Sequence, residues 1–202
     1  MVVAQCILQH SDAVKGTILL IQAPNTATLI KGTITGLTPG LHGFHIHEFG
    51  DMTDGCKSMG GHYNPDNVDH GDITQGHVGD LGNITADESG TAKFTIEAKR
   101  VELIGSRSVI GRGFVVHSDE DDLGKGGDEE SKKTGNAGDR LACGVIVARS
   151  QEMTEAHGGE HSTTGRSMTK GEKSKREKNV KGMKKDKAGF KKRYGKDAEA
   201  VM

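Results

Sequence analysis

The chain has 202 residues, a formal net charge of −1 and a mean hydropathy of −0.55, and only 3% of its residues are aromatic. This length fits one medium domain with an appendage or two small domains, and no segment approaches the roughly 18 apolar residues that would indicate a membrane-spanning helix. Because Trp is absent and aromatic residues are scarce, a core must be built from Val, Ile and Leu, which suits short, closely packed strands.

Eight strand-like segments, many of which alternate apolar with polar residues, recur along the chain. In order they are Val3–Gln9, Lys15–Gln22, Thr28–Thr35, Leu41–Glu48, Asp80–Ala86, Ala92–Ala98, Gly113–Ser118 and Leu141–Ala148. Turn residues separate them, and no helical pattern of roughly 10–15 residues intervenes to form βαβ units. The pattern predicts an all-β sandwich or barrel.

Two connections are much longer than the others. About 30 residues separate the fourth predicted strand from the fifth, and about 22 separate the seventh from the eighth. Loops longer than ~15 residues in a compact domain are usually functional or disordered. The first loop contains three histidines and the second contains an acidic stretch and Arg140. We therefore expect both loops to be functional.

Six of the ten histidines lie in or beside these segments, at His45, His47, His62, His70, His77 and His117. The first two are two residues apart on a predicted strand, so both side chains leave the same face. Alone, this pair is a weak signal, because hydrogen-bonded surface imidazoles occur at the same spacing. Together, the six predict a metal centre, since neutral imidazole is the commonest protein ligand for zinc and copper.

Two ligand sets suit two different metals. Three imidazoles and one carboxylate, a closed set typical of structural zinc, are available at His62, His70, His77 and Asp80. An all-nitrogen set that suits copper(II) would combine His45, His47 and His117. Spacing alone does not indicate whether one histidine is shared between the two sets.

Longer stretches carry a family resemblance. They are GFHIHEFGD at 43–51, HVGDLGN at 77–83, and DDLGKGG at 121–127 with TGNAGDRLACG at 134–144. Over about residues 1–149 the chain resembles copper/zinc superoxide dismutase. The resemblance implies an eight-stranded antiparallel Greek-key β-barrel with two long functional loops. It also implies an antioxidant oxidoreductase that disproportionates superoxide to dioxygen and hydrogen peroxide, as its copper is alternately reduced and oxidised.

The resemblance also implies roles for the ligands. Copper would be held by His45, His47, His62 and His117, and zinc by His62, His70, His77 and Asp80. His62 would bridge the two ions as an imidazolate and supply a proton. Asp121 matches a carboxylate that links a copper-ligand histidine to a zinc-ligand histidine, and such partners fix ligand orientation.

Substrate guidance is implied in the second loop. Superoxide is an anion and the domain is acidic, so a local positive field must guide it. Arg140 matches the arginine that anchors the anion beside copper. The charged rim and the neck of the approach are matched by Lys133, Thr134, Glu129 and Glu130.

The resemblance pairs Cys56 with Cys143 in a disulfide, which is atypical of reducing compartments. Cys6, on an apolar strand, is expected to be a buried free thiol. The first ten residues lack a basic region, and their apolar run is too short for a secretory signal. We therefore expect a cytoplasmic protein with access to the nucleus. A copper chaperone is the expected partner for its maturation.

The resemblance further implies a homodimer, packed through segments matching Gly50-Asp51, Ile110-Gly111 and Gly144-Val145-Ile146.

The sequence departs from the family pattern at two places. The segment between His70 and His77 is about two residues shorter and lacks the usual proline, so we expect zinc binding with altered affinity or loop mobility. Asn83 begins a formal glycosylation sequon, which we expect to carry no glycan on a predicted strand.

The C-terminal region lies outside the resemblance. Residues 166–202 carry 14 basic and 5 acidic side chains, a net charge of +9, so the rest of the chain carries −10. Residues 150–202 lack the apolar content that would offset the entropy of ordering them. We predict a domain over 1–149 and a disordered basic tail over 150–202.

Two interpretations of this tail stay open. It is either a solvated extension or a segment that binds polyanions such as nucleic acid. For the whole chain, a copper-delivery protein and a metal-storage or tethering protein are the alternatives to an enzyme. The chain has no Cys-x-Cys or Cys-x-x-Cys motif for metal transfer.

Overall fold

The computed structural model describes residues 1–9 and 13–149. The predicted tail at 150–202 lies outside the described residues, so the boundary at residue 149 stays a prediction. Nine strands form the described part: β1 Val2–Leu8, β2 Lys15–Gln22, β3 Thr28–Thr35, β4 Gly40–His47, β5 Asp80–Ala86, β6 Thr91–Ala98, β7 Gly113–His117, β8 Arg140–Val145 and β9 Val147–Arg149. A 3₁₀ helix, Lys57–Met59, and a one-turn α-helix, α1 Ser131–Thr134, lie in the two long connections.

The strands form one antiparallel sheet in the order β8-β7-β4-β5-β6-β3-β2-β1-β9. Strands β4, β5 and β6 lie side by side in chain order, and β7 returns to lie beside β4, which is a Greek-key arrangement. The first and last strands in this order are consecutive in the chain. The N–H of Gln9, just after β1, also donates to the carbonyl of Cys143 on β8 (3.0 Å). The sheet therefore curls into a nearly closed barrel, as the sequence predicts.

The strand count differs from the prediction by one. The segment predicted as one strand, Leu141–Ala148, is divided at Ile146 into β8 and β9. At Ile146 the N–H donates to the carbonyl of Arg112 (2.9 Å), and the carbonyl accepts from the N–H of Gly111 (2.8 Å). These bonds turn the chain from β7, the partner of β8, towards β1, the partner of β9.

The core is built mainly from aliphatic side chains that alternate along the strands. Phe44 on β4 and Phe114 on β7 stack with ring centroids 4.9 Å apart. Gly32 leaves space for Phe94, since a Cβ there would lie 2.3 Å from the ring. The fully buried aliphatic side chains around them include Ile18, Leu20, Ile30, Ile34 and Ile46. None of the described helices has the length and apolar character that crossing a membrane would require.

Candidate metal centre

Strand β4 separates the core from a cluster of histidines. Phe44 and Ile46 point into the core, so the alternating positions His45 and His47 leave the opposite face. Both histidines are nevertheless buried, because the long connections cover that face. The period-two alternation along one strand therefore places two imidazoles inside the protein and outside its apolar core.

His62 and His117 complete a first group of donors. The segment around His62 runs antiparallel to the end of β4, where His47 and His62 form an isolated bridge and Tyr63 donates to the carbonyl of Ile46 (2.8 Å). The four-histidine group is His45, His47, His62 and His117, whose nearest ring nitrogens lie within 4.8 Å of one another. All four residues are buried, and β7, the neighbour of β4, contributes the last of them.

A second group shares His62. The Asp80 group is His62, His70, His77 and Asp80, and its donor atoms also lie within 4.8 Å of one another. The Nδ1 atoms of His62 and His77 lie 2.8 and 3.2 Å from Oδ1 of Asp80. Nδ1 of His70 lies 2.9 Å from Oδ2 without the direction of a hydrogen bond. Three imidazoles thus converge on one buried carboxylate at the start of β5.

Asp121 connects the two groups through hydrogen bonds with one histidine of each. Its Oδ2 accepts from Nε2 of His45 and its Oδ1 accepts from Nε2 of His70, both at 2.8 Å. The backbone of Asp121 is fixed in turn by Asn83, whose side-chain amide donates to its carbonyl and accepts from its N–H, each at 2.8 Å. Asp121 therefore holds one imidazole of each group in a set orientation.

The hydrogen bonds fix which nitrogen of each imidazole is free. His45 faces the Asp121 carboxylate through Nε2, and His47 and His117 face the carbonyls of Gly60 and Gly138 through Nδ1 (3.0 and 3.2 Å). Since these partners are acceptors, the facing nitrogens must carry the protons. The opposite nitrogens are left buried without a hydrogen-bond partner in the described part of the chain.

Buried polar atoms without partners are rare in proteins, and a missing ion is one reason for them. In this centre the free nitrogens of His45, His47 and His117 belong to the four-histidine group, and Nδ1 of His70, which also lacks a hydrogen-bond partner, belongs to the Asp80 group. The residues therefore fit two cations. The all-imidazole group suits copper, and the group with three imidazoles and a carboxylate suits zinc.

Burial keeps most of these imidazoles neutral. Burial lowers the pKa of His45 and His47 well below the usual range, and repulsion between imidazolium charges so close to His62 lowers it further. Burial also lowers the pKa of His62, and it lowers the pKa of His117 to about 4. Neutral imidazole is the form that binds metals, so these side chains are in their ligand state at neutral pH.

The Asp80 side of the centre attracts positive charge. Burial opposes charge on His70, but its hydrogen bond with Asp121 and the nearby carboxylate of Asp80 outweigh burial and raise its pKa to about 9. Burial likewise opposes charge on the two carboxylates, but hydrogen bonds from the histidines hold the pKa of Asp80 and of Asp121 far below the usual range. The buried negative charge of Asp80, at the centre of its group, is what a divalent cation would neutralise.

Arg140 lies beside the four-histidine group. It pairs across the sheet with His117, and its guanidinium donates to the carbonyls of Cys56 and Gly60, both at 2.6 Å, and of Lys57 at 3.4 Å. Arg140 also lines an open depression of about 700 Å³, together with Asp54, Gly55, Lys57, Gly138, Asp139 and Leu141. A fixed cation therefore lies beside the four-histidine group and also borders an open surface depression.

The other four residues predicted to guide substrate lie on α1 or just before it. Glu129 forms an ion pair with Lys132, whose ammonium donates to its carboxylate (3.4 Å), and Thr134 donates to the Glu130 carboxylate (3.0 Å). Lys133, in the last turn of the helix, is exposed. The described side-chain bonds of Glu129, Glu130 and Thr134 stay within this segment, so the predicted guiding role of the four residues stays a prediction.

The cysteines are arranged as predicted. Cys56 and Cys143 form a disulfide with a Cα–Cα distance of 5.7 Å, and Cys6 is a buried free thiol. The disulfide packs with Met59 and Val115 in a small second core. Because the Cys56 carbonyl accepts from Arg140, the cross-link also fixes the loop that orients this guanidinium.

The family comparison agrees with this geometry. Residues 14–146 match the family model described as copper/zinc superoxide dismutase (SODC), which covers well over half of the chain. The chain belongs to the copper/zinc superoxide dismutase family. This membership confirms the resemblance inferred from the motifs, and it confirms that the protein is an enzyme of the superoxide dismutase class.

Sequence reasoning missed three parts of the centre. The carbonyls of Gly60 and Gly138 select the tautomers of His47 and His117, but backbone acceptors leave no mark in a residue pattern. The sequence indicates no role for Asn83 beyond a formal sequon, whereas its side-chain amide forms two hydrogen bonds with the backbone of Asp121. Its place at the end of the HVGDLGN motif was the one available signal.

Proposed function

We propose that this member of the family disproportionates superoxide with copper in the four-histidine group and zinc in the Asp80 group. The observation that carries the proposal is that His62 belongs to both buried groups. Its Nδ1 lies against Asp80, which leaves Nε2 for the other group. One imidazole can therefore connect the two ions.

The ligands would be those that the motifs indicate. Copper would be held by His45, His47, His62 and His117, and zinc by His62, His70, His77 and Asp80. Bound copper would supply the one-electron couple that takes an electron from one superoxide and returns it to a second, which with two protons gives dioxygen and hydrogen peroxide. Zinc has no redox chemistry, so its contribution is structural and electrostatic.

The chain's own residues prepare the site for this chemistry. The Asp121 carboxylate and the Gly60 and Gly138 carbonyls hold three imidazoles with their lone pairs inward. His62 offers a nitrogen that can hold a proton on the side of the four-histidine group while Nδ1 stays with Asp80. A proton donor is thereby held next to the site where the second superoxide is reduced.

Arg140 would bind the anion. A guanidinium has five N–H donors, and the bonds to three carbonyls leave two for a ligand. Lys133 and Thr134, with Glu129 and Glu130, would shape the approach field around it. Because the protein outside the tail is acidic, this local cation and not the overall charge must attract superoxide.

The test is the superoxide decay rate, measured by pulse radiolysis on the full chain loaded with both metals. We expect fast turnover that slows as ionic strength rises, because salt screens the attraction between Arg140 and the anion. A slow rate that does not respond to salt would contradict the proposal. In that case metal storage or tethering would be the better interpretation.

We also propose a homodimer. The three segments that the resemblance assigns to the interface adjoin one another, since a Cβ on Gly50 would lie 2.3 Å from the Gly111 carbonyl and 2.9 Å from Val145. Phe49 and Val147, next to these segments, are 50% and 44% exposed. We expect Phe49→Glu to shift the sedimenting species from dimer to monomer. Leu41→Glu, at an exposed apolar residue elsewhere, is the control.

The charge asymmetry of the sequence favours a second activity for the tail. We propose that the tail binds polyanions through Lys170–Arg193, because 166–202 carry a net charge of +9. The full chain should bind DNA or heparin at low salt, and a chain ending at residue 149 should not. Equal binding by both would refute this proposal without affecting the dismutase assignment.

A further inference from the structure

Arg100, just after β6, touches the loop that carries the Asp80 group at two separate points. Its guanidinium donates to the carbonyl of Gly76 and to the carboxylate of Asp66 (3.0 Å). Asp66 lies between His62 and His70, whereas Gly76 immediately precedes His77. One side chain therefore joins the two halves of the ligand-bearing loop.

The contact with Gly76 leads directly to the metal-binding carboxylate. The peptide group between Gly76 and His77 accepts from Arg100 through its oxygen and donates to Oδ2 of Asp80 through its N–H (2.7 Å). The packing here is tight, since a Cβ on Gly76 would lie 2.4 Å from Oδ2 of Asp80. A shift of Arg100 would thus reach Asp80 through one rigid peptide plane.

The contact with Asp66 strengthens this arrangement. The side chain of Arg100 is partly buried, with an exposure of 27%, whereas Asp66 is an exposed residue whose side chain is 34% exposed. Arg107 donates to the same carboxylate oxygen (2.8 Å), so Asp66 is held between two guanidiniums. The planar fork of arginine can hold a carbonyl and a carboxylate at once, which the single ammonium of lysine does less well.

We propose that Arg100 is a positioning residue for the Asp80 group. By holding the Gly76 carbonyl and the Asp66 carboxylate together, it orders the loop before the metal arrives and so sets the affinity of this group for Zn²⁺. The inference rests on the proposed function, since it takes the Asp80 group to be the zinc site.

The experiment measures metal binding by the metal-free full chain. Zn²⁺ affinity is obtained by competition with a chromophoric chelator, and Co²⁺ is added separately as a visible probe of tetrahedral coordination. Arg100→Met should weaken Zn²⁺ binding by about 10- to 100-fold, the range for partners that orient metal ligands. Amide hydrogen exchange between residues 71 and 78 should become faster in the same variant.

Arg107→Met is the matched control, because it loses one ion pair with Asp66 but leaves the Arg100–Gly76 bond in place. Its Zn²⁺ affinity should fall by less than about fivefold, as expected for a largely exposed ion pair. Arg100→Lys should lie between the two, and it provides a folded variant if Arg100→Met is unstable.

The outcomes separate the two proposals. If the wild-type protein gives no tetrahedral Co²⁺ spectrum, the zinc-site assignment is wrong and the inference fails with it. If the wild type gives that spectrum and Arg100→Met binds Zn²⁺ as tightly as Arg107→Met, only the role of Arg100 is refuted.

Discussion

Arg140 and His47 donate hydrogen bonds to the same carbonyl oxygen, that of Gly60, at 2.6 and 3.0 Å. One backbone atom therefore fixes both the cation at the mouth of the site and the tautomer of an imidazole inside it. The positive charge of Arg140 also contributes to the low pKa of His47, after burial and the charge of His62. The residue proposed to bind the anion and a residue proposed to bind copper are thus linked through a single peptide group.

Reversing the charge of Arg140 should slow dismutation without removing the metals. We expect Arg140→Glu to lower the rate by at least about tenfold, because a local attraction becomes a repulsion. Pulse radiolysis gives the rate, and elemental analysis gives the copper and zinc content. A variant with full metal content and an unchanged rate would show that Arg140 does not guide the substrate.

Asp139 lines the same depression as Arg140 and is exposed. Removing its charge in Asp139→Asn should raise the rate, by up to about threefold at low salt, since a single surface charge contributes well under 1 kcal/mol in water. The gain should disappear at high ionic strength. Glu97→Gln, at an exposed acid on β6, is the control. If that control raises the rate equally, total charge and not local charge controls the approach.

Asp121→Asn should disturb both metal groups. The carboxylate accepts from an imidazole N–H at each oxygen, but an amide can accept on one side only and offers an N–H on the other. His45 or His70 must then change its tautomer or turn away. We expect the affinity for the affected metal to fall by about 10- to 100-fold, as measured by chelator competition.

Asp119→Asn provides the comparison, because Asp119 is an exposed acid in the same acidic run. It should bind both metals as the wild type does. Equal losses in the two variants would attribute the effect to the charge of the run and not to the bridge between the imidazoles.

Much of the barrel could be predicted because each strand carries its own pattern. Turn residues bound β2, β3 and β5, whose limits agree with the prediction at both ends. The break between β8 and β9 could not be predicted, since Ile146 stands within an apolar run and is diverted by bonds to Gly111 and Arg112 about 35 residues away. A local pattern does not contain that information.

The candidate metal centre could likewise be predicted in part. Metal chemistry could be inferred because histidines at such spacings are rare without a metal. That His62 lies in both groups required either the family resemblance or the structure, because the sharing arises where the 62–80 loop folds back onto β4. The Arg100 contact could not be predicted either, since it joins residues separated by 24 and 34 positions.

The disulfide should stabilise both the fold and the approach to the site. Cys56 and Cys143 are 87 positions apart, so the chain-entropy model gives roughly 4–5 kcal/mol, an upper value. We expect Cys143→Ser to lower the free energy of unfolding in urea and to lower the rate, because the Cys56 carbonyl no longer fixes Arg140. Loss of stability with an unchanged rate would mean that Arg140 is held by its other acceptors alone.

Cys6 should be protected from thiol reagents until the barrel opens. Burial raises the pKa of this thiol to about 12, and its sulfur packs against Gly144 on β8. The thiolate is the reactive form, so at pH 8 iodoacetamide should label Cys6 in urea but not in the native protein. Native labelling at the rate seen in urea would contradict the buried position.

The same shift predicts how stability depends on pH. The folded pKa of Cys6 lies above its unfolded value near 9, so the buried thiol contributes stability that is fully present below that pH. This contribution should be lost progressively as the pH rises towards 12, because only the unfolded chain then releases the proton freely. The urea midpoint should therefore fall more steeply above pH 9 in the wild type than in Cys6→Ala. Parallel curves for the two proteins would show that other groups control stability in this range.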